Sequence, residues 1–157
     1  MKNAVKKGFS FGLTSGVITT LGLMVGLESS TESKLAVLGG IIAIAVADAF
    51  SDSLGMHISE EATKHNTKEV WQSTISTFIA KFVFAMTFAI PVLLFSLTTA
   101  VIIDIVWGLL LITLYSIYLA KQEKVKAWKA VFEHVGITIL VIIATHYLGH
   151  FIKIYLG

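Results

Sequence analysis

The sequence predicts an all-α polytopic membrane protein with five transmembrane helices in each protomer. Of its 157 residues, 55% are hydrophobic and only 14% are charged, whereas a soluble domain carries about a quarter charged residues. The mean hydropathy is +0.83. Its mostly uncharged runs are as long as the roughly 20 residues that a helix needs to cross a bilayer. They also lack the alternating polarity of membrane barrel strands, so helices are the expected membrane-spanning element.

Polar connections separate most of these runs and define one transmembrane domain over residues 1–157. The predicted spans are residues 8–27, 35–56, 74–97, 100–120 and 130–155. The junction at residues 96–99 has no charge, Gly or Pro, whereas Pro91 is expected to kink the third span. The first span is not a convincing signal peptide, because no small-residue cleavage site follows it and further spans do.

The basic residues predict the orientation of the chain. All twelve are lysines, and five spans place nine of them on one side of the membrane. These nine are Lys2, Lys6, Lys7, Lys64, Lys68, Lys121, Lys124, Lys126 and Lys129. The positive-inside rule then predicts a cytoplasmic N-terminus and an outer C-terminus, and a chain this short without a targeting signal suits a prokaryotic plasma membrane.

The absence of two residue types limits the chemistry of the chain. Without Arg there is no bidentate clamp for phosphate, and we expect no nucleic-acid partner. Without Cys there are neither disulfides nor thiolate metal sites. The expected surroundings are the lipid bilayer and, as a partner, a second copy of the chain.

Glycines recur at every fourth position at the start of the first span, at Gly8, Gly12 and Gly16. Small faces of this kind let two membrane helices approach closely. The spacing is compatible both with packing inside the protomer and with a homodimer interface. These three glycines are therefore the candidate dimer face.

The second span contains two carboxylates and a thioether on one helical face, because Asp48, Asp52 and Met56 are four residues apart. Ionisable groups inside a span are costly and usually functional. This set of ligands suits a divalent ion of borderline softness such as Fe²⁺ or Mn²⁺, which predicts a metal site. The alternative is a water-facing stripe whose carboxylates pair with a neighbour such as Lys81.

A second polar group follows the second span and is a candidate metal entrance. It comprises His57, Glu60, Glu61 and His65. Glu60 and Glu61 would concentrate cations there. His57, Glu61, His65 and Glu69 share one face if the helix continues. However, residues 65–67 resemble a helix end, and a solvated charged face is the alternative.

Asp104 in the fourth span and His146 in the fifth are a candidate proton relay, since histidine titrates near neutral pH. The alternative is a static hydrogen bond that joins two helices. A membrane hydrolase that uses both residues with a serine is a weaker hypothesis, because no strong nucleophile motif is present. We therefore expect no enzymatic activity and no permanently bound cofactor.

Two runs of the sequence resemble a known family. Residues 12–27 read Gly-Leu-Thr-Ser-Gly-Val-Ile-Thr-Thr-Leu-Gly-Leu-Met-Val-Gly-Leu, and residues 47–59 read Ala-Asp-Ala-Phe-Ser-Asp-Ser-Leu-Gly-Met-His-Ile-Ser. They resemble the first-helix and second-helix signatures of the vacuolar iron transporter family, Asp-Gly-Leu-Val-Thr-Thr-Phe-Gly-Leu-Val-Ala-Gly and Ala-Asp-Ala-Ile-Ser-Met-Gly-Leu-Gly-Glu-Tyr-Leu-Ser. The resemblance extends over the five-span layout and is specific in these two runs.

The resemblance implies a homodimer that moves Fe²⁺ or Mn²⁺ out of the cytosol, often in exchange for protons. It implies an ion path near the dimer axis, lined by the first two helices. Three positions depart from the family pattern: Ser15 replaces an Asp, Asp52 replaces a Met, and Met56 replaces a Glu. The expectation is a divalent-metal transporter in which Ser15 lends an oxygen to the site on the second helix.

The alternative is a non-transporting scaffold or metal sensor of the same fold, which the loss of the first-helix Asp at Ser15 favours. The Glu-rich cytosolic helices of many family members are absent here, because the second connection is too short to hold them. Metal storage in such a domain is therefore not expected.

Overall fold

The computed structural model describes residues 2–63 and 66–156, and all regular structure in that part of the chain is helical. The helices are α1 Lys2–Thr31, α2 Lys34–Ala62, α3 Thr67–Thr87, α4 Ala89–Leu94, α5 Leu97–Glu123 and α6 Ala127–Tyr155. Five segments are long and apolar enough to cross a membrane, because α3 and α4 together form the third, Thr67–Leu94. The predicted all-α fold with five membrane-length helices is confirmed, while the orientation of the termini stays a prediction.

The outer faces of these helices are apolar, as expected for contact with lipid rather than water. Phe50 is 63% exposed, Ile102 59% and Leu140 66%. Exposed apolar surface on this scale is rare in soluble monomers. Together with the lengths of the five helices, it indicates an integral membrane protein.

The third span is broken rather than gently kinked. Helix α3 ends at Thr87, four residues before Pro91. Proline has no N–H for the carbonyl four residues earlier, and its ring crowds that carbonyl. At the end of α3, the N–H of Phe88 bonds to the carbonyl three residues earlier, that of Ala85, at 3.2 Å. The distortion expected at Pro91 is therefore a helix break one turn before it.

Two short turns connect membrane helices. Between α1 and α2 only two residues lie outside the helices, and Glu32 adopts a left-handed conformation with φ 51°. Between α4 and α5, Ser96 is extended and begins the next helix, with its Oγ donating to Thr99 Oγ1 at 2.9 Å. The predicted junction at residues 96–99 is therefore placed correctly to within a few residues.

The described part of the chain forms two compact units. Unit 1 comprises Met1–Thr20 and Ile41–Ile90, and unit 2 comprises Leu21–Gly40 and Pro91–Gly157. Each unit contains part of α1 and part of α2, because both helices continue from one unit into the other. The expectation of a single domain stays a prediction.

In unit 1, the glycine face of α1 packs against α3. A Cβ added at Gly8 would clash with the carbonyl of Ser73, and one added at Gly12 would lie 2.5 Å from the carbonyl oxygen of Thr77. At Gly16 the same atom would lie 3.0 Å from the carbonyl oxygen of Lys81. The prediction of a dimer face at these three glycines is therefore wrong, because the backbone of α3 already occupies it.

Unit 2 uses small residues in the same way to bring α1 and α6 together. A Cβ at Gly149 would clash with the carbonyl of Gly26, and one at Gly22 would lie 2.9 Å from a methyl group of Val141. Close approach through small residues is typical of membrane helices, because it maximises packing where lipid supplies no hydrophobic drive.

An exposed stripe of small residues runs along the part of α2 that belongs to unit 1. All five of its members are exposed and recur every fourth position. They are Ala43, Ala47, Ser51, Gly55 and Ser59. A Cβ at Gly55 would meet no atom within 4 Å, so this small-residue stripe is an open surface of the protomer.

Candidate functional site

Side chains from three helices of unit 1 meet in a charged cluster formed by Ser15, Asp48, Asp52 and Lys81. The ammonium of Lys81 forms ion pairs with both carboxylates, directly with Oδ2 of Asp52 and at 2.5 Å from Oδ2 of Asp48. It also donates to Oγ of Ser15 at 2.8 Å. Ser15 Oγ donates in turn to Asp52 Oδ2 at 2.7 Å. The cluster therefore joins α1, α2 and α3 through one network of charge-assisted hydrogen bonds.

The local sequence explains how the cluster assembles. The spacing of four residues places Asp48 and Asp52 on one face of α2. Gly12 and Gly16 let the backbone of α3 come close to α1, and this brings Lys81 to Ser15. Asp48 and Lys81 each lie midway along a membrane-length helix, so the cluster is far from either end of these spans.

The cluster has unequal charge and unequal exposure. The side chain of Lys81 is 1% exposed, whereas those of Asp48 and Asp52 are 26% and 21% exposed. With all three groups ionised, two carboxylates against one ammonium leave a formal charge of −1. A buried charge needs compensation, and the partly exposed carboxylates can accept a further cation from outside the unit.

The metal prediction for Asp48, Asp52, Met56 and Ser15 has a mixed outcome. The structure brings Ser15 to Asp52 and buries Met56 one turn further along α2. Within the described residues, no three His, Asp or Glu side chains are arranged to hold a metal ion. The ammonium of Lys81 pairs with the two carboxylates, which is the alternative that the sequence left open. Metal binding by this set stays a prediction.

His57, in the predicted metal entrance, is held by a hydroxyl group. Its Nδ1 lies 3.0 Å from Oγ1 of Thr74, and that hydroxyl donates its single hydrogen to the carbonyl of Val70 at 2.7 Å. Nδ1 must therefore be the donor. The other ring nitrogen, Nε2, lies 3.4 Å from Oε1 of Glu61, so these two predicted residues do meet.

Glu60, which was predicted to lie at the metal entrance, is buried. Its residue is 2% exposed and its carboxylate pairs with the ammonium of Lys7, so it lies inside unit 1. The helical face predicted for His57, Glu61, His65 and Glu69 is also interrupted, because α2 ends at Ala62 and α3 begins at Thr67. Glu69 therefore lies on another helix, and His65 lies outside the described residues.

The predicted pair of Asp104 and His146 is not formed. Asp104 is fully buried, and within the described residues neither of its carboxylate oxygens has a hydrogen-bond partner. Nδ1 of His146 lies 2.8 Å from Oγ of Ser29 instead. The expectation of a static hydrogen bond between the two is wrong, because the hydroxyl of Ser29 contacts the imidazole instead, and a proton relay that uses both residues stays a prediction.

A second serine–histidine contact was not predicted from the sequence. Nδ1 of His134 lies 2.8 Å from Oγ of Ser116, whose hydrogen is donated to the carbonyl of Ile112 at 2.6 Å. That serine is therefore not activated by the imidazole. In the described part of the chain no carboxylate is hydrogen bonded to His134 or His146, so neither pair has the third member of a hydrolytic triad.

No known protein family, no curated protein and no solved structure matches the chain. The resemblance of residues 12–27 and 47–59 to the vacuolar iron transporters therefore stays a prediction from those two runs alone.

Proposed function

We propose that the chain is a membrane transporter of a divalent transition-metal cation, with Asp48 and Asp52 as its binding carboxylates. The observation that carries this proposal is the charged cluster in the middle of three membrane-length helices, where two partly exposed carboxylates share one ammonium. Carboxylates inside a membrane are energetically costly, and they usually mark an ion pathway.

The charges of the cluster favour a cation as cargo. Its formal charge of −1 repels anions and attracts positive ions into a region of low dielectric, where the attraction is strong. An ion that binds there would compete with Lys81 for the carboxylates. Carboxylate and hydroxyl oxygens with a nearby thioether at Met56 suit Fe²⁺ or Mn²⁺, which is also the cargo that the family resemblance implies.

The working unit in this proposal is a homodimer that forms through α2 rather than through the glycines of α1. Two features support this surface. The small-residue stripe allows two helices to pack closely, and Asp48 and Asp52 lie beside it. Without a second copy or water on this side, their exposed oxygens would face lipid at a large cost.

Cysteine cross-linking tests the dimer directly, because the native chain contains no Cys. We expect Ala47→Cys to form a disulfide-linked dimer in membranes under mild oxidation. Val106→Cys is the matched control, since it is also exposed and lies on α5. Equal cross-linking at both positions, or none at Ala47→Cys, would contradict a dimer through α2.

Transport itself is tested with Fe²⁺ and Mn²⁺ uptake into proteoliposomes, with and without a pH gradient. We expect saturable uptake that Asp52→Asn reduces at least tenfold. Glu133→Gln, which removes an exposed carboxylate of α6, should leave the rate unchanged. Uptake that depends on the pH gradient would add proton exchange to the mechanism.

The ion pair of Lys81 also supports a second candidate, a non-transporting membrane scaffold. In that case the ammonium joins three helices permanently and the carboxylates have no cargo. The same flux experiment separates the two functions. Folded protein in liposomes that moves neither metal would rule out the transporter and favour the scaffold.

A further inference from the structure

Two histidines lie one turn apart near the end of α6, in unit 2. The rings of His146 and His150 are nearly parallel, with an interplanar angle of 11° and centroids 6.5 Å apart. Both residues are exposed. A spacing of four residues places two imidazoles on the same face of a helix, which is the arrangement by which helical histidine pairs bind a divalent metal.

A hydroxyl group selects which nitrogen of His146 is free. Ser29 Oγ lies 2.8 Å from Nδ1 of His146 and donates to Oε2 of Glu28 at 3.3 Å. This contact occupies Nδ1, and when the single hydrogen of the hydroxyl is directed to Glu28, its oxygen accepts a hydrogen bond from Nδ1–H of the imidazole. The lone pair of the neutral ring is then on Nε2, the atom available to a metal.

This hydrogen-bond chain is the type that supports a metal ligand. Histidines that bind metals usually donate their second nitrogen to an oxygen, which fixes the ring orientation and raises its basicity. Here the hydroxyl of Ser29 can accept that bond while it donates its own hydrogen to the carboxylate of Glu28. Among the imidazoles with a hydroxyl partner in the described residues, His57, His134 and His146, only His146 has a second histidine one turn away.

The charges nearby also permit a cation. Lys153 lies one turn or less beyond His150 on the same helix, but its Nζ is 2.5 Å from Oε1 of Glu32. Its ammonium is therefore compensated within unit 2. The carboxylate of Glu28 contributes a further negative charge at the other end of the hydrogen-bond chain.

We propose that His146 and His150 form a binding site for a single borderline divalent transition-metal ion such as Zn²⁺, Co²⁺, Ni²⁺ or Cu²⁺. Imidazole nitrogens favour these ions over the harder Mn²⁺. The two side chains provide two ligands, and water completes the coordination. This site shares no residue with the charged cluster of unit 1, so it does not depend on the proposed transport.

Histidine-selective NMR tests the site without any variant. Full-length protein labelled with ¹⁵N-histidine would be titrated with Co²⁺ in detergent micelles. We expect the imidazole signals of His146 and His150 to broaden at substoichiometric Co²⁺, while those of His134 stay sharp. Earlier or equal broadening of the His134 signal would overturn the assignment.

Calorimetric titration with Zn²⁺ tests the contribution of each side chain. His146→Gln and His150→Gln should each weaken binding at least tenfold, and Ser29→Ala should weaken it about tenfold, as loss of a supporting hydrogen bond does at metal sites. His134→Gln is the matched control and should bind as the parent does. Unchanged affinity in both His146→Gln and His150→Gln would overturn the site, whereas failure of Mn²⁺ flux would concern the unit 1 cluster only.

Discussion

Both units place an aspartate deep in a membrane-length helix, but they treat its charge in opposite ways. In unit 1, Asp48 and Asp52 share the ammonium of Lys81 and the hydroxyl of Ser15. In unit 2, Asp104 is fully buried and has no hydrogen-bond partner among the described residues. A polar group inside a membrane is therefore interpretable only with its neighbours. Three sets of variants test what the charged residues of each unit contribute to stability.

The largest effect is expected from Lys81→Met. Removal of one member of a buried ion pair leaves the other uncompensated and costs about 3–5 kcal/mol. We expect the free energy of unfolding to fall by that amount, measured by denaturant unfolding in detergent followed by circular dichroism. Mn²⁺ at about 100 times its Kd should restore about 2.7 kcal/mol if the carboxylates bind it.

A compensating variant is the control for Lys81→Met. When Asp48→Leu and Asp52→Leu are added to it, no charge remains in the cluster. Apolar replacement of a whole buried pair is often neutral, so most of the stability should return. A triple variant as unstable as Lys81→Met would show that shape, and not charge, causes the loss.

Asp104→Leu is expected to change the free energy of unfolding very little or to raise it. Replacement of a buried polar group by an apolar one of similar shape is nearly neutral or stabilising when no partner loses a hydrogen bond. We expect the free energy of unfolding to stay within about 1 kcal/mol of the parent or to rise. Asp52→Leu is the matched comparison and should destabilise. A loss at Asp104→Leu as large as that at Asp52→Leu would reveal a hidden partner of Asp104.

The smallest effect is expected from the exposed ion pair of Glu32 and Lys153. The hydrogen bond and charge of Lys153 lower the pKa of the Glu32 carboxyl. Because the folded pKa lies below the unfolded one, the pair stabilises the fold above the unfolded pKa, and this stability is lost as the pH falls through the folded pKa.

We therefore expect Glu32→Gln to lower the Tm slightly at pH 7, by an amount that disappears in acid and in 1 M salt, since exposed pairs are weak and screened. Thermal unfolding at low salt, between pH 7 and pH 3, measures it. A difference that grows in acid would contradict this pairing.

The fold was largely predictable because hydrophobic runs of membrane length leave few alternatives to helices. Even the uncharged junction before Leu97 was placed correctly to within a few residues, and a division into five spans is also the one that puts nine lysines on one side of the membrane. What the sequence could not decide was which neighbour fills each face. The glycines of α1 suit any close partner, and only the structure shows that α3 provides it.

The candidate site was predictable only where it follows from local spacing in the sequence. The face shared by Asp48 and Asp52 follows from helical periodicity, and Lys81 was already the named alternative partner. The contacts of Glu60 with Lys7 and of His146 with Ser29 were missed. Their partners are far apart in the sequence, and no local spacing signals such a contact.

The pairing of Lys81 with α2 has a consequence for how the chain is made. An ammonium or a carboxylate at the centre of a single span costs about 2.5–3.5 kcal/mol at the step of insertion by the translocon. Both α2 and α3 would face that cost if they were released one by one. Their charges can neutralise each other if the two helices leave the translocon together, so biogenesis favours their release as a single hairpin, with the ion pair formed before either helix meets lipid alone.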